Sequence, residues 1–262
     1  MNENPKIKSL ENGIKILNLI SDTSPISVTA LSEKVGLTKS AVSKILSTFK
    51  DYKYVEQNSL DKTFTMGSEM IRLGMQGFSK IDIRSLAKQY LQELSDKYNE
   101  NTMLMIEQQL KAVVLEVCTA KNYDHLSMNL GRQYVLYRGA APKVLLAYLS
   151  EDRKKNVIEM ADWLPMTDNT ITSEEVLHER LQEIRTNGFD ISLGEFDTTT
   201  LSIAVPLVNG LGEIKAAISI SGTKERMNMH DKADLISDMK YAAKLISEKL
   251  GASNTLIEHF YN

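Results

Sequence analysis

"GLTKSAVSKILSTFK", residues 36–50, spaces Val42, Ile45, Leu46 and Phe49 three and four residues apart, which puts all four on one face of a helix. The opposite face holds Lys39, Ser40, Ser43, Lys44, Ser47 and Lys50, with no acid among them. Yet the chain as a whole carries a formal net charge of −3. A basic, hydroxylic helix face on an acidic protein is suited to an anionic partner.

The sequence on either side says which partner. "SLENGIKILNLI" places Leu10, Ile14, Leu17 and then Ile20 or Leu19 on one helix face, with Ser9 as N-cap and Asn12 where a full capping box has Glu or Gln. "SVTALSEKVG" offers Ser27 as the next N-cap, directs Ala30, Leu31 and Val35 inward, and ends at Gly36, which tolerates the left-handed conformation. Thr38 caps the third helix, so only a few residues separate helices two and three, as in a helix-turn-helix. "YKYVEQNSLDKTFTMG" then reads as two short strands around a polar turn at residues 58–61, a wing with Lys62 near its tip.

In this arrangement the third helix enters the major groove with its N-terminal residues nearest the base edges. The candidate DNA-binding residues are therefore Thr38, Lys39, Ser40, Ser43, Lys44, Ser47 and Lys62. The plain alternative is a solvated amphipathic helix. Three helices, two caps and a hairpin in order favour DNA, although winged helices also dock on RNA and protein.

Composition bounds the rest. The chain has 262 residues, 42% hydrophobic and 25% charged, enough for two domains. Residues 1–80 hold 11 basic and 8 acidic side chains, against 20 and 26 in the remainder, so a mildly basic head precedes an acidic body. No apolar run reaches the roughly 18 residues of a membrane helix. "MNENPKIKSL" lacks the apolar core of a signal peptide, and the single cysteine, Cys118, excludes an internal disulfide. The expectation is a cytoplasmic protein with no membrane contact.

Residues 67–81 read as a linker helix with an apolar stripe at Met70, Leu73 and Gly74, packed on a partner chain or on its own domain, with a break around residues 77–82. Beyond it, "TMLMIEQQ" and "AVVLEVCTA" are β-rich, and "PKVLLAYLSEDRKKNVIEMA" and "SEEVLHERLQEIRTNG" are helical. "LSIAVPLVN" and "EIKAAISISG" flank a turn as a hairpin, and "HDKADLISDMKYAAKLISEKLG" is a long amphipathic helix. The expected class is α+β with an antiparallel sheet. Ser219 and Ser221 lie two apart on a strand and so point to the same side. Either they face water, or they line a cavity and bind a carboxylate or hydroxyl of a small ligand.

These stretches in this order resemble the IclR family of bacterial transcriptional regulators over nearly the whole chain. In the head the resemblance rests on "SLENGIKILNLI", "ALSEKVGLTKSAVSKIL", "YKYVEQ" and "FTMGSEMIRLG"; in the body on "LLAYLS", "LQEIRTNGFDIS" and, most specifically, "AVPLVNGLGEIKAAISISG". The resemblance implies a winged helix-turn-helix domain over residues 1–66, a linker helix over 67–81, and a GAF-like domain over 82–262 that binds an effector and oligomerises. It further implies a repressor or activator acting as a homodimer or dimer of dimers on a double-stranded operator, controlled by a small organic acid or hydroxylated metabolite. Carried over position by position, the effector site falls at Gly139, Ala140 and Ala141, at Ser192 with Glu195 and Asp197 nearby, at Ser202 where the family often has Cys, and at Ser219 and Ser221. Tyr137, Pro142 and Thr199 depart from the family's usual His, Gly and Gly. Tyr123, Tyr134 and Tyr137 offer an aromatic rim suited to a larger or sugar-like ligand.

Catalysis is not suggested by the residues. His125, His178, His230 and His259 are scattered without metal-ligand spacing, and Cys118 lies in an apolar strand. No phosphate loop, dinucleotide fingerprint or nucleophile elbow is present, and "NGLGE" is a hairpin turn. The expectation is no cofactor, no metal and no enzyme. The rivals are a metabolite-binding or enzymatic domain with an appended winged helix used for protein docking, which predicts turnover, and a protein–protein scaffold, which predicts no ligand pocket.

Overall fold

The computed structural model describes residues 6–78, 81–120 and 129–261. They fall into two compact units, residues 1–81 and 82–262.

The first unit comprises α1 (Lys8–Thr23), α2 (Val28–Val35), α3 (Lys39–Asp51), the hairpin of β1 (Val55–Gln57) and β2 (Phe64–Met66), and α4 (Ser68–Phe78). Its caps are those the sequence calls for. The Ser27 hydroxyl accepts the Ala30 N–H at 3.2 Å, Gly36 closes α2 at φ +67°, and the Thr38 hydroxyl accepts the Ala41 N–H at 3.2 Å. Ile16, Ile20, Leu31, Val42, Leu46 and Val55 form the core.

Two expectations for α1 are corrected. The helix starts before Ser9, with Ile7 at the N-cap and no side-chain cap bond. Its buried stripe is Gly13, Ile16 and Ile20, while Leu10 and Ile14 are exposed. Gly13 lets the Phe49 ring of α3 pack on this face: a Cβ there would lie 3.1 Å from it. Gly67 has a comparable role at the end of the wing. A Cβ on it would lie 2.2 Å from the Lys53 carbonyl oxygen. Its N–H donates to the Tyr54 carbonyl at 2.8 Å, and the Glu69 N–H to the Lys53 carbonyl at 3.0 Å.

The second unit runs α5 (Ile83–Tyr98), β3 (Asn101–Gln108), β4 (Lys111–Cys118), β5 (Gln133–Val135), α6 (Ala140–Ala147), α7 (Glu151–Glu159), α8 (Glu174–Asn187), β6 (Asp190–Leu193), β7 (Thr200–Val208), β8 (Ile214–Thr223), α9 (Lys224–Met227), α10 (Lys232–Lys249) and α11 (Asn254–Tyr261). The strands form one antiparallel sheet in the order β5-β4-β3-β8-β7-β6. One face packs Leu104, Ile203, Val205, Ile218 and Ile220 against Leu91 of α5 and Met239 and Ile246 of α10. The other packs Met103, Met105, Ala204 and Ala217 against Val144 and Leu145 of α6 and Leu177 and Leu181 of α8. Burial on both faces explains the near-continuous apolar runs of β7 and β8.

The stretch expected as one helix from Pro142 is two. Helix α6 is buried at every position, whereas α7 begins after an extended Ser150 with Glu151 and Asp152 in its first turn, where acids suit the helix dipole.

Candidate DNA-reading face and effector cavity

Lys39, Ser40, Ser43, Lys44, Ser47 and Lys50 are all exposed on α3, and Thr38 spends its hydroxyl on the cap. The apolar residues Val42 and Leu46 anchor the helix from behind. The wing tip is a compact turn. Asn58 Oδ1 accepts the Leu60 N–H at 2.9 Å, and Asp61 Oδ1 accepts both the N–H and hydroxyl of Thr63 at 2.9 and 2.6 Å. Lys62 stands at φ +62° and its ammonium donates to the Ser59 carbonyl at 2.7 Å. Hydrogen bonds from Thr63 hold the Asp61 carboxyl below the usual carboxylate range, so the tip carries an anion as well as the Lys62 ammonium held on Ser59.

In the second unit, a cavity of about 360 Å³ lies on the sheet face covered by α6. Thr200 and Ser202 of β7, Ser219 and Ser221 of β8, and Met103 and Met105 of β3 line its floor. They converge through strand register: Ser202 stands opposite Ser221, and Ser219 opposite Met103. Gly139, Ala140, Ala141 and Pro142 form a wall at the start of α6, Tyr134 and Phe196 another, and Arg132, Met166 and Asp197 complete the lining.

Each element places its residue for a local reason. Gly139 adopts φ +85°, and a Cβ on it would come within 2.9 Å of the Phe196 ring. It also leaves the N-terminus of α6 without a side-chain cap. The Tyr134 and Phe196 rings meet edge to face at 5.6 Å between centroids, and the Arg132 guanidinium lies 5.0 Å over Tyr134. Burial pushes the Tyr134 phenol up. The Ser219 hydroxyl is buried and makes no hydrogen bond to the described residues.

Behind the α6 wall lies a buried charge cluster. Lys143, fully buried, pairs with Glu195 and stands 3.3 Å from Asp190 Oδ2. Burial raises the Asp190 carboxyl above its ordinary range, against the lowering effect of Lys143.

Of the sequence-named effector residues, Gly139, Ala140, Ala141, Ser202, Ser219 and Ser221 come together around this cavity. Ser192 does not line it: it is buried on β6 in register with Ser202. Asp197 reaches the lining, while Glu195 belongs to the Lys143 pair. Tyr137 points elsewhere, its hydroxyl bonded to Asp162 at 3.2 Å, and Tyr123 lies outside the described residues. Thr200, Met103 and Met105 were missed, though each sits two residues from another lining position and period-two counting finds it. Arg132 and Met166 carry no sequence signal. Among the described residues no group of three His, Cys, Asp or Glu side chains is placed to hold a metal ion, and no helix is long and apolar enough to cross a membrane.

Comparison with known proteins covers both units. The family profile described as "IclR helix-turn-helix domain" matches residues 9–59, and that described as "Bacterial transcriptional regulator IclR C-terminal" matches residues 75–248. The HTH-type transcriptional regulator XynR of Escherichia coli K12 is 28% identical over 94% of this chain and 98% of its own length. The DNA-binding transcriptional repressor YiaJ of the same organism is 24% identical over 93% and 88%. A crystal structure of an IclR transcriptional regulator from Silicibacter sp. TM1040 superposes with a TM-score of 0.84 at 20% identity, covering 94% and 97%, a likeness of fold.

Proposed function

The chain belongs to the IclR family of bacterial transcriptional regulators, and we propose that it is a repressor whose hold on its operator is set by a hydroxylated organic acid bound beneath α6. It is a DNA-binding transcriptional regulator with a helix-turn-helix domain and a C-terminal effector domain. The finer assignment is our reading. Residues 1–66 read DNA through Lys39, Ser40, Ser43, Lys44, Ser47 and Lys62, with Thr38 fixing the helix start. Residues 67–81 link, and residues 82–262 bind effector and oligomerise. The protein works in the cytoplasm without cofactor or catalysis.

Ser219 carries the effector reading. A buried hydroxyl without a partner costs about 1–3 kcal/mol, and an oxygen or N–H on a ligand in the cavity removes that cost. The Arg132 guanidinium in the lining favours a carboxylate beside it. Thr200, Ser202, Ser221 and Asp197 supply partners for ligand hydroxyls, and Met103 and Met105 pack its carbon chain.

Self-association follows from the size of the DNA-reading face, since one short helix buries too little surface for a tight site alone. Exposed apolar faces are available for it: Ile7, Leu10 and Ile14 at α1, and Ile71, Leu73 and Met75 on α4. The function is tested by selecting bound fragments from genomic DNA, then titrating the complex with a panel of hydroxy acids. The expected result is operator release by at least one of them. Selection of no sequence, or indifference of the complex to every acid while neutral apolar compounds release it, would sink the reading.

A further inference from the structure

Glu195 sits beside the cavity without lining it, and both its side chain and its backbone are engaged. It lies between β6 and β7 and is buried. Its Oε2 accepts the Gly139 N–H at 2.9 Å, and its Oε1 takes the Lys143 ammonium. Its backbone carbonyl accepts the Thr170 hydroxyl at 2.9 Å, and the neighbouring Gly194 carbonyl accepts that of Thr167 at 2.5 Å. One residue thus joins the start of α6, the β6–β7 loop and the segment leading into α8. Each of these three also contributes a lining residue to the cavity: Gly139, Phe196 and Met166 respectively.

A buried carboxylate persists only where its charge and lone pairs are met. Lys143 meets the charge and would keep Asp190 if the pair parted, whereas the buried Glu195 carboxylate has no second cation among the described residues. The contact therefore has few partial states: the three segments either meet at Glu195 or separate from it together. From this geometry we infer that Glu195 is a positioning residue that clamps three walls of the cavity into one body, so that an effector touching any wall displaces all of them. The inference rests on the reading of the cavity as the effector site, but its test needs no effector.

The measurement is amide hydrogen exchange on the full chain without added ligand, joined to acrylamide quenching of Trp163. Trp163 is the chain's one tryptophan, lies in the same segment as Met166, and packs 5.8 Å from the Tyr137 ring. The Lys143→Met, Glu195→Ala double variant, made in an Asp190→Asn background, removes the clamp without stranding a buried ammonium or the buried Asp190 carboxylate. Exchange is expected to rise about tenfold in peptides covering both 139–143 and 165–171, with greater quenching and with α10 unchanged. Thr170→Val deletes a hydroxyl that donates to Glu195 and also accepts the Met166 and Thr167 N–H groups, so exchange in 165–171 rises in any case, and the clamp is read from an accompanying rise in 139–143. A rise confined to residues 194–199, no rise, or an even rise across residues 82–262 would overturn the clamp. Should the double variant not fold, Thr170→Val decides alone: unchanged exchange in 139–143 overturns the inference. A cavity that bound no hydroxy acid would leave these results standing, and the effector reading alone would fall.

Discussion

Ser202 on β7 and Ser221 on β8 stand directly opposite each other in an antiparallel pair, and both line the cavity under α6. Ser219, two residues before Ser221, lines it too and lacks a hydrogen-bond partner among the described residues. Hydroxyls from two strands therefore converge on one small volume. The effector response should depend on them. Ser219→Ala and Ser221→Ala should each leave operator affinity in the absence of effector unchanged. Removing one hydrogen bond to a charged ligand group costs roughly 1.5–3 kcal/mol, which exceeds the roughly 1.4 kcal/mol that a tenfold shift in DNA affinity requires. Calorimetry with an acid that releases the wild-type complex checks this; equal affinity in the double variant would place the site elsewhere.

Lys39 and Lys44 should act through phosphate. Replacing either by Ala should weaken operator binding and lower the slope of log affinity against log salt by about one for each phosphate no longer neutralised. Ser40→Ala should change sequence preference more than affinity. Electrophoretic or fluorescence titrations between low and physiological salt measure both effects.

Asp61 places a negative charge at the wing tip beside Lys62. Asp61→Asn keeps an oxygen to accept the Thr63 N–H and removes the charge. Operator binding should tighten a few-fold at low salt, with the gain shrinking as salt screens it. Unchanged affinity at low salt would mean that the wing stays clear of the phosphates.

Asp190 should make stability depend on pH in a direction opposite to most carboxylates. Burial raises its folded-state pKa, so the native protein holds this proton more tightly than the unfolded chain does. Stability from this group is complete below the unfolded value of about 4 and is lost as pH rises toward the folded value. Asp190→Asn should therefore raise the melting temperature at pH 7, with the advantage shrinking toward pH 4. Thermal scans across that range test it, and an unchanged melting temperature at pH 7 contradicts it.

The exposed Leu10 and Ile14 on α1 should matter to assembly and not to folding. A Leu10→Glu, Ile14→Glu variant should keep its melting temperature within a few degrees while dissociating at micromolar concentration, as read by sedimentation. Wild-type association that survives the change would move the contact to α4 or to the effector domain.

Much of the DNA-binding unit was legible because its signals are local. Ser27, Gly36 and Thr38 act on residues a few positions away, and their caps follow from side-chain chemistry alone. The face of α1 was not legible. Leu10–Ile14–Leu17 and Gly13–Ile16–Ile20 have equivalent helical spacing, and the choice between them is made by Phe49, from another helix. Strands β5 and β6, of three and four residues, are too short to show a period. In the cavity, co-facing serines follow from the period of a strand. The contacts of Lys143 with Glu195, 52 residues on, and of Tyr134 with Phe196 across the cavity wall depend on tertiary approach that no spacing announces.

Gly67 makes the base of α4 a rigid joint. With its amide bonded to Tyr54 and no room for a side chain against Lys53, the joint between the wing, the end of α3 and the first turn of α4 has little freedom to bend. The 11 residues of α4 then act as a stiff lever of about 16 Å. A displacement imposed at its far end therefore turns the reading head as one body and is not absorbed at the joint. In a symmetric pair the two levers would shift their recognition helices in opposite senses against a half-site spacing fixed by the turn of the duplex. Such a device would release DNA by spoiling the phase of two correct readings, without altering either reading head.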